Sequence, residues 1–178
     1  MTGLTLGIDI GTSGIRTAVL DESGAVVGTA HTDHLPQDTA AIDAEKWWQA
    51  VQNCIARQAV ALRQIGREMA DIARIGVDGT SGTMVLTDAD LRPVTGALMY
   101  NSSGFVAEAA EIAKYAPANH ITLGANSALG RALRLQAEDC EGRAVHLLHQ
   151  ADFIIAKLRG VGGVSDHNNA LKLGYDPA

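Results

Sequence analysis

The sequence predicts a mixed α/β domain whose sheet opens with a three-stranded antiparallel meander flanked by helices. Three observations predict it. Strand-length apolar segments follow one another before residue 32 with only turn residues between them, and helix-period patterns begin at residue 44. A hydrophobic fraction of 47% with nineteen glycines and only four prolines belongs to a compact α/β chain, not a disordered or fibrous one. At 178 residues the chain suits one domain, or one large domain cut short, and it can bury a real core.

Leu4, Leu6, Ile8 and Ile10 alternate with Thr5, Gly7 and Asp9, the period of a strand, so Asp9 falls on the face away from the apolar row, just before a turn. Gly11-Thr-Ser-Gly14 supplies that turn, and a second strand over residues 15–21 carries Arg16 immediately after it. A third strand is expected over 24–31, after the turn at 22–24. Residues 32–42 form a polar connection containing Pro36, and Asp43 is a good N-cap for a helix from Ala44. Along that helix Trp48, Val51, Ile55, Ala59 and Leu62 recur at helical spacing, which assigns the Trp47-Trp48 pair to core packing. A strand over 72–78 ends on Asp78, and the tetrapeptide Gly-Thr-Ser-Gly then recurs at 79–82. Further on come a strand over 83–87, a turn over 88–93, and Leu98-Met-Tyr100 leading into Asn101-Ser-Ser-Gly104. Helices are expected over 105–115, over 127–137 with Leu129, Leu133 and Ala137 along one side, and over 152–158. The remainder, 160–176, reads as a loop rich in Gly and Asn with a short helical stretch that Ser165-Asp166 could cap.

The first hairpin gathers an acid, two hydroxyls, bare amides and a guanidinium. Such a turn can cradle a phosphate, with Gly11, Thr12 and Ser13 donating to the anion and Arg16 beside it. There is no G-x-x-x-x-G-K-[ST] and no G-x-G-x-x-G between a strand and a helix, so neither the P-loop nor the dinucleotide fingerprint applies. Asp9 suits such a loop if a divalent cation links it to the terminal phosphates, because a bare carboxylate would repel them. By spacing alone, an ordinary glycine-containing hairpin with an exposed Asp remains the alternative.

The formal net charge of −6 and pI of about 5.4, without a basic stretch, argue against nucleic acid or an anionic membrane surface as partner. Neither a signal-peptide pattern nor a bilayer-length apolar run occurs, so a cytoplasmic location is expected. Cys54 and Cys140 lack C-x-x-C spacing and read as free, buried or semi-buried thiols. His146 and His149 have no obvious third metal ligand, and Glu138, Asp139 and Glu141 form a solvated turn.

Four segments occur in one order: the hairpin 7–21, the helix opening Asp43-Ala-Glu-Lys-Trp-Trp-Gln-Ala-Val51, the loop Gly76-Val-Asp-Gly-Thr-Ser-Gly-Thr83 and the tail 165–176. Together they resemble the FGGY family of carbohydrate kinases. The resemblance implies the actin-like ATPase (ribonuclease H-like) fold and ATP-dependent transfer of the γ-phosphate, with Mg²⁺, to a hydroxyl of a small sugar or polyol. It assigns Asp9 to the metal, Gly11, Thr12, Ser13 and Arg16 to the ATP phosphates, and Asp78, Thr80, Ser81, Tyr100 and Asn101 to the sugar. The pairing of Asp-Gly-Thr-Ser-Gly-Thr with Tyr-Asn is similar to the cyanobacterial and plant branch acting on D-ribulose, and the Gln-Met-His and Gln-Arg-Glu signatures of xylulose and glycerol kinases are missing. A ketopentose is therefore expected, ribulose ahead of xylulose. The match is to the N-terminal domain, incomplete at residue 178, so a second, adenosine-binding domain and the aspartate general base are expected downstream, and this chain alone is expected to be inactive. No carboxylate here matches that base by motif. The resemblance allows a homodimer. It also leaves open a non-catalytic sugar-binding or regulatory module, given the altered Tyr100-Asn101-Ser102 region, while the Trp47-Trp48 opening and the Asp78 loop speak against a chaperone-type or cell-shape ATPase.

Overall fold

β1 (Leu4–Ile10) and β2 (Gly14–Leu20) pair antiparallel on either side of the Gly11–Gly14 turn, and β3 (Val26–Asp33) continues the meander. The computed structural model of the chain describes residues 3–33 and 42–175, so most of the expected polar connection, including Pro36, lies outside the described residues. β4 (Ile72–Gly79) joins the other edge of β1 in parallel, giving the order β3-β2-β1-β4 and the mixed sheet expected from sequence. Between β3 and β4 runs α1 (Ala44–Gln64), which supplies the crossover length that a parallel pair needs.

The described chain divides into two compact units, residues 3–33 with 45–79, and residues 42–44 with 80–175. In the first, one face of the sheet is the core face: Leu4, Leu6, Ile8, Ile10, Ile15 and Val19 are all buried, as strand alternation requires. The buried stripe of α1 is Trp47, Val51, Cys54, Gln58 and Leu62, rotated by about one residue from the expected Trp48, Val51, Ile55, Ala59 and Leu62. The displacement has a polar cause. Gln58 is fully buried and its Nε2 donates to the carbonyl (3.1 Å) and the hydroxyl (3.0 Å) of Thr17, while Cys54 lies against the Ile15 carbonyl and the Thr32 hydroxyl. Polar side chains that bond to the sheet thus occupy helix positions that a hydropathy pattern leaves to solvent.

In the second unit β5 (Met84–Thr87) pairs antiparallel with β6 (His146–His149), a strand the sequence reading did not contain. The helices are α2 (Val106–Ile112), α3 (Ala128–Glu138), α4 (Gln150–Arg159) and α5 (His167–Lys172). Met84 and Leu86 of β5 form a core cluster with Ala128 and Leu135 of α3. The buried side of α3 is therefore Ala128, Arg131 and Leu135, not the expected Leu129, Leu133 and Ala137. Cys54 is buried as expected, whereas Cys140 is exposed just beyond α3. No helix among the described residues is long and apolar enough to cross a membrane.

Candidate functional site

The β1/β4 register places Asp9 opposite Asp78, and the β1/β2 register places it opposite Arg16, which in turn faces His31 of β3. One row across the sheet of the first unit therefore carries two carboxylates, a guanidinium and an imidazole. The neighbouring row is Gly76, Gly7, Ala18 and Thr29, almost bare of side chains. Together the rows floor a concavity of about 830 Å³, open because these residues are small. Asp9, Arg16 and Asp78 are all exposed, and none forms a side-chain hydrogen bond or ion pair among the described residues. Two like charges in neighbouring register repel one another, and that repulsion is relieved by a cation.

Asp9 is followed almost at once by the turn. Gly11 N–H donates to the Gly14 carbonyl at 3.0 Å, so that amide is taken up in closing the turn and is not a bare donor. Thr12 and Ser13 are exposed, and their N–H and hydroxyl groups have no partner among the described residues. Gly14 has no left-handed backbone. It is required by close approach instead, since a Cβ there would lie 2.6 Å from the Thr32 carbonyl of β3.

In the second unit the loop after β4 is fixed group by group. Thr80 N–H donates to Gln150 Oε1 (2.9 Å), Ser81 Oγ donates to Asn169 Oδ1 (2.7 Å), and Tyr100 N–H donates to Thr83 Oγ1 (2.9 Å). Asn169 is oriented in turn by donating Nδ2 to Asp166 Oδ2 at 2.7 Å. Asp166 caps α5 by accepting from the Asn168 and Asn169 N–H groups. Burial opposes ionisation of Asp166, yet those hydrogen bonds hold its carboxyl below the usual range.

Ser81 and Tyr100 line a polar hollow of about 220 Å³ with Asn126, Ser127, Arg131 and Lys172. No carboxylate lines it. Of the five residues expected at the sugar, these two are brought together; Thr80 and Asn101 do not line the hollow, and Asp78 lies in the first unit beside Asp9. Sequence reasoning missed Arg131, Gln150, Lys172 and Asn169. For Arg131 a signal existed, a charge three residues after Ala128 and four before Leu135 on what becomes the buried side of α3. Among the described residues no three His, Cys, Asp or Glu side chains group as metal ligands, and His146 and His149 are simply the ends of β6.

Residues 4–123 match the FGGY family of carbohydrate kinases, N-terminal domain. Xylulose kinase of Escherichia coli K12 is 28% identical over 126 residues, 67% of this chain and 24% of that protein. Glycerol kinase of Brucella ovis is 37% identical over 92 residues, 49% of this chain and 18% of its own. The chain thus spans no more than about a quarter of the curated relatives it matches. Among solved structures, Plasmodium falciparum glycerol kinase with ADP superposes with a TM-score of 0.78 at 16% identity, covering 96% of this chain and 37% of that one. Xylulose kinase from Rhodospirillum rubrum gives 0.76 at 19% identity, covering 97% and 38%. Both likenesses are likenesses of fold, and that fold is the actin-like ATPase fold with its mixed sheet and flanking helices.

Proposed function

We propose that this chain, which belongs to the FGGY family of carbohydrate kinases, is the part of an ATP-dependent sugar kinase that holds the transferable phosphate and the sugar. One observation carries the reading: an exposed, unpartnered carboxylate at the end of β1, with the free donors of Thr12 and Ser13 three and four residues on. This arrangement suits a phosphate accompanied by a metal and has no evident use in a mere hairpin.

Asp9 has the acceptor oxygens and exposure to hold hydrated Mg²⁺, so the residues present fit the ion. When bound, Mg²⁺ neutralises charge building on the β- and γ-phosphate oxygens. Thr12 and Ser13 orient the γ-phosphate through their N–H and hydroxyl groups, and Arg16 adds a guanidinium from the next strand. Ser81 donates its proton to Asn169, which leaves the oxygen lone pairs free to accept from a sugar hydroxyl. Tyr100 adds a wall of the hollow, which Asp78 and Asn101 do not line. Phosphoryl transfer asks for such positioning more than for covalent chemistry.

The sugar is a ketopentose, D-ribulose ahead of D-xylulose. The support is the Asp78-Gly-Thr-Ser-Gly-Thr83 loop together with Tyr100-Asn101, a pairing similar to that of ribulose-directed members. The complete gene product supplies the test. Asp9→Asn should lower kcat about a thousandfold and abolish Mn²⁺ binding followed by electron paramagnetic resonance in the presence of ADP. Ser81→Ala should raise the sugar KM about tenfold, the worth of one hydrogen bond to a bound hydroxyl, while the ATP KM stays put. Near-normal turnover by Asp9→Asn would reject the metal and phosphate assignment.

A further inference from the structure

Arg131 is 3% exposed and enters the second unit from the first turns of α3. A guanidinium buried to this degree usually meets a carboxylate; here no acid pairs with it among the described residues. Its partners are carbonyls instead. Nη1 donates to the Gly82 carbonyl at 2.9 Å, and Nη2 donates to those of Tyr100 at 2.6 Å and Asn126 at 2.7 Å. The Ser102 carbonyl lies at 3.5 Å. Burial lowers the pKa of the group, but a guanidinium stays charged, and charged donors make strong hydrogen bonds to carbonyl oxygens. The buried ring of Phe105 lies 5.8 Å from the guanidinium carbon and restricts its movement.

These carbonyls belong to three separate stretches of chain, the loop of Ser81, the loop of Tyr100 and the approach to α3. Each contributes a wall of the same hollow. Gly82 is fitted to the arrangement: its φ of +85° presents the carbonyl, and a side chain there would crowd Arg131 Nη1 at 3.3 Å. We infer that Arg131 is a positioning residue that sets the width of the sugar hollow by tying the Gly82, Tyr100 and Asn126 carbonyls to one planar group. The inference rests on the sugar-handling reading above. A lysine keeps the charge, yet its single ammonium cannot span carbonyls that a guanidinium fork reaches from two nitrogens.

The test uses R131K and R131M in the complete gene product, with KM for ketopentose and for ATP, kcat and the thermal midpoint measured on each. R131K should raise the ketopentose KM at least fivefold and R131M at least twentyfold, with the ATP KM within twofold of wild type and partial recovery in lysine relative to methionine. Should R131M not fold, R131K carries the comparison. A ketopentose KM within twofold of wild type in R131K, or an ATP KM that rises in proportion, would overturn the inference while leaving the kinase reading intact. A wild-type protein that phosphorylates no sugar or polyol would overturn both.

Discussion

His149 is 2% exposed, and burial brings its pKa from 6.5 down to about 4. Asp166 pulls that value up, and Lys172 and Arg131 push it down. The folded protein therefore holds a neutral imidazole where the unfolded chain takes up a proton. Stability is fully present above pH 6.5 and declines as pH falls toward 4. Asp152, raised chiefly by burial, acts in the opposite sense, while the lowered carboxyl of Asp166 adds to the loss in acid. Between pH 7 and 5 the histidine contributes a loss of about 2 kcal/mol, to be read by denaturant unfolding. His149→Leu fills similar space without the titrating ring and should flatten that slope by more than half; an unchanged slope would mean another group carries it. The turn residues and both Gly-Thr-Ser-Gly loops were legible because turn chemistry is local. Arg131 and His149 were not, because their roles come from carbonyls and burial supplied by distant segments.

Strands β1 and β2 were legible from alternation, and α1 from its length and period, since each has one face that must be buried. β6 was not. Four residues, His146–His149, offer too short a run to show a period and lead directly into α4. The rotated stripe of α1 has a similar origin in Gln58 and Cys54, which hydropathy cannot assign to a core. The β2/β3 pairing is held tightly at Gly14, where an added methyl would lie 2.6 Å from a backbone oxygen that cannot swing away. Gly14→Ala should cost about 1–3 kcal/mol and lower the thermal midpoint by several degrees. Gly76→Ala is the internal comparison: nothing lies within 4 Å of the added methyl, so its effect should stay within about 0.5 kcal/mol. Equal midpoints for the two variants would show that close strand approach is not what the first glycine serves.

Across the whole molecule, the residues proposed to hold phosphate lie in the first unit, and two of the five proposed for the sugar, Ser81 and Tyr100, line the hollow of the second. The excess of acidic residues, 20 against 14 basic, offers a phosphate no general positive field, so the proposed reading asks local groups, Arg16 and a metal at Asp9, to supply the cations. The matches to the two curated kinases cover 24% and 18% of their lengths. The most direct measurement is ADP release by the complete gene product with ATP and Mg²⁺ over a panel of ketopentoses, polyols and aldonates, each scored against a sugar-free background. The account predicts release stimulated at least a hundredfold by a ketopentose, D-ribulose above D-xylulose. Release that no sugar stimulates would contradict it.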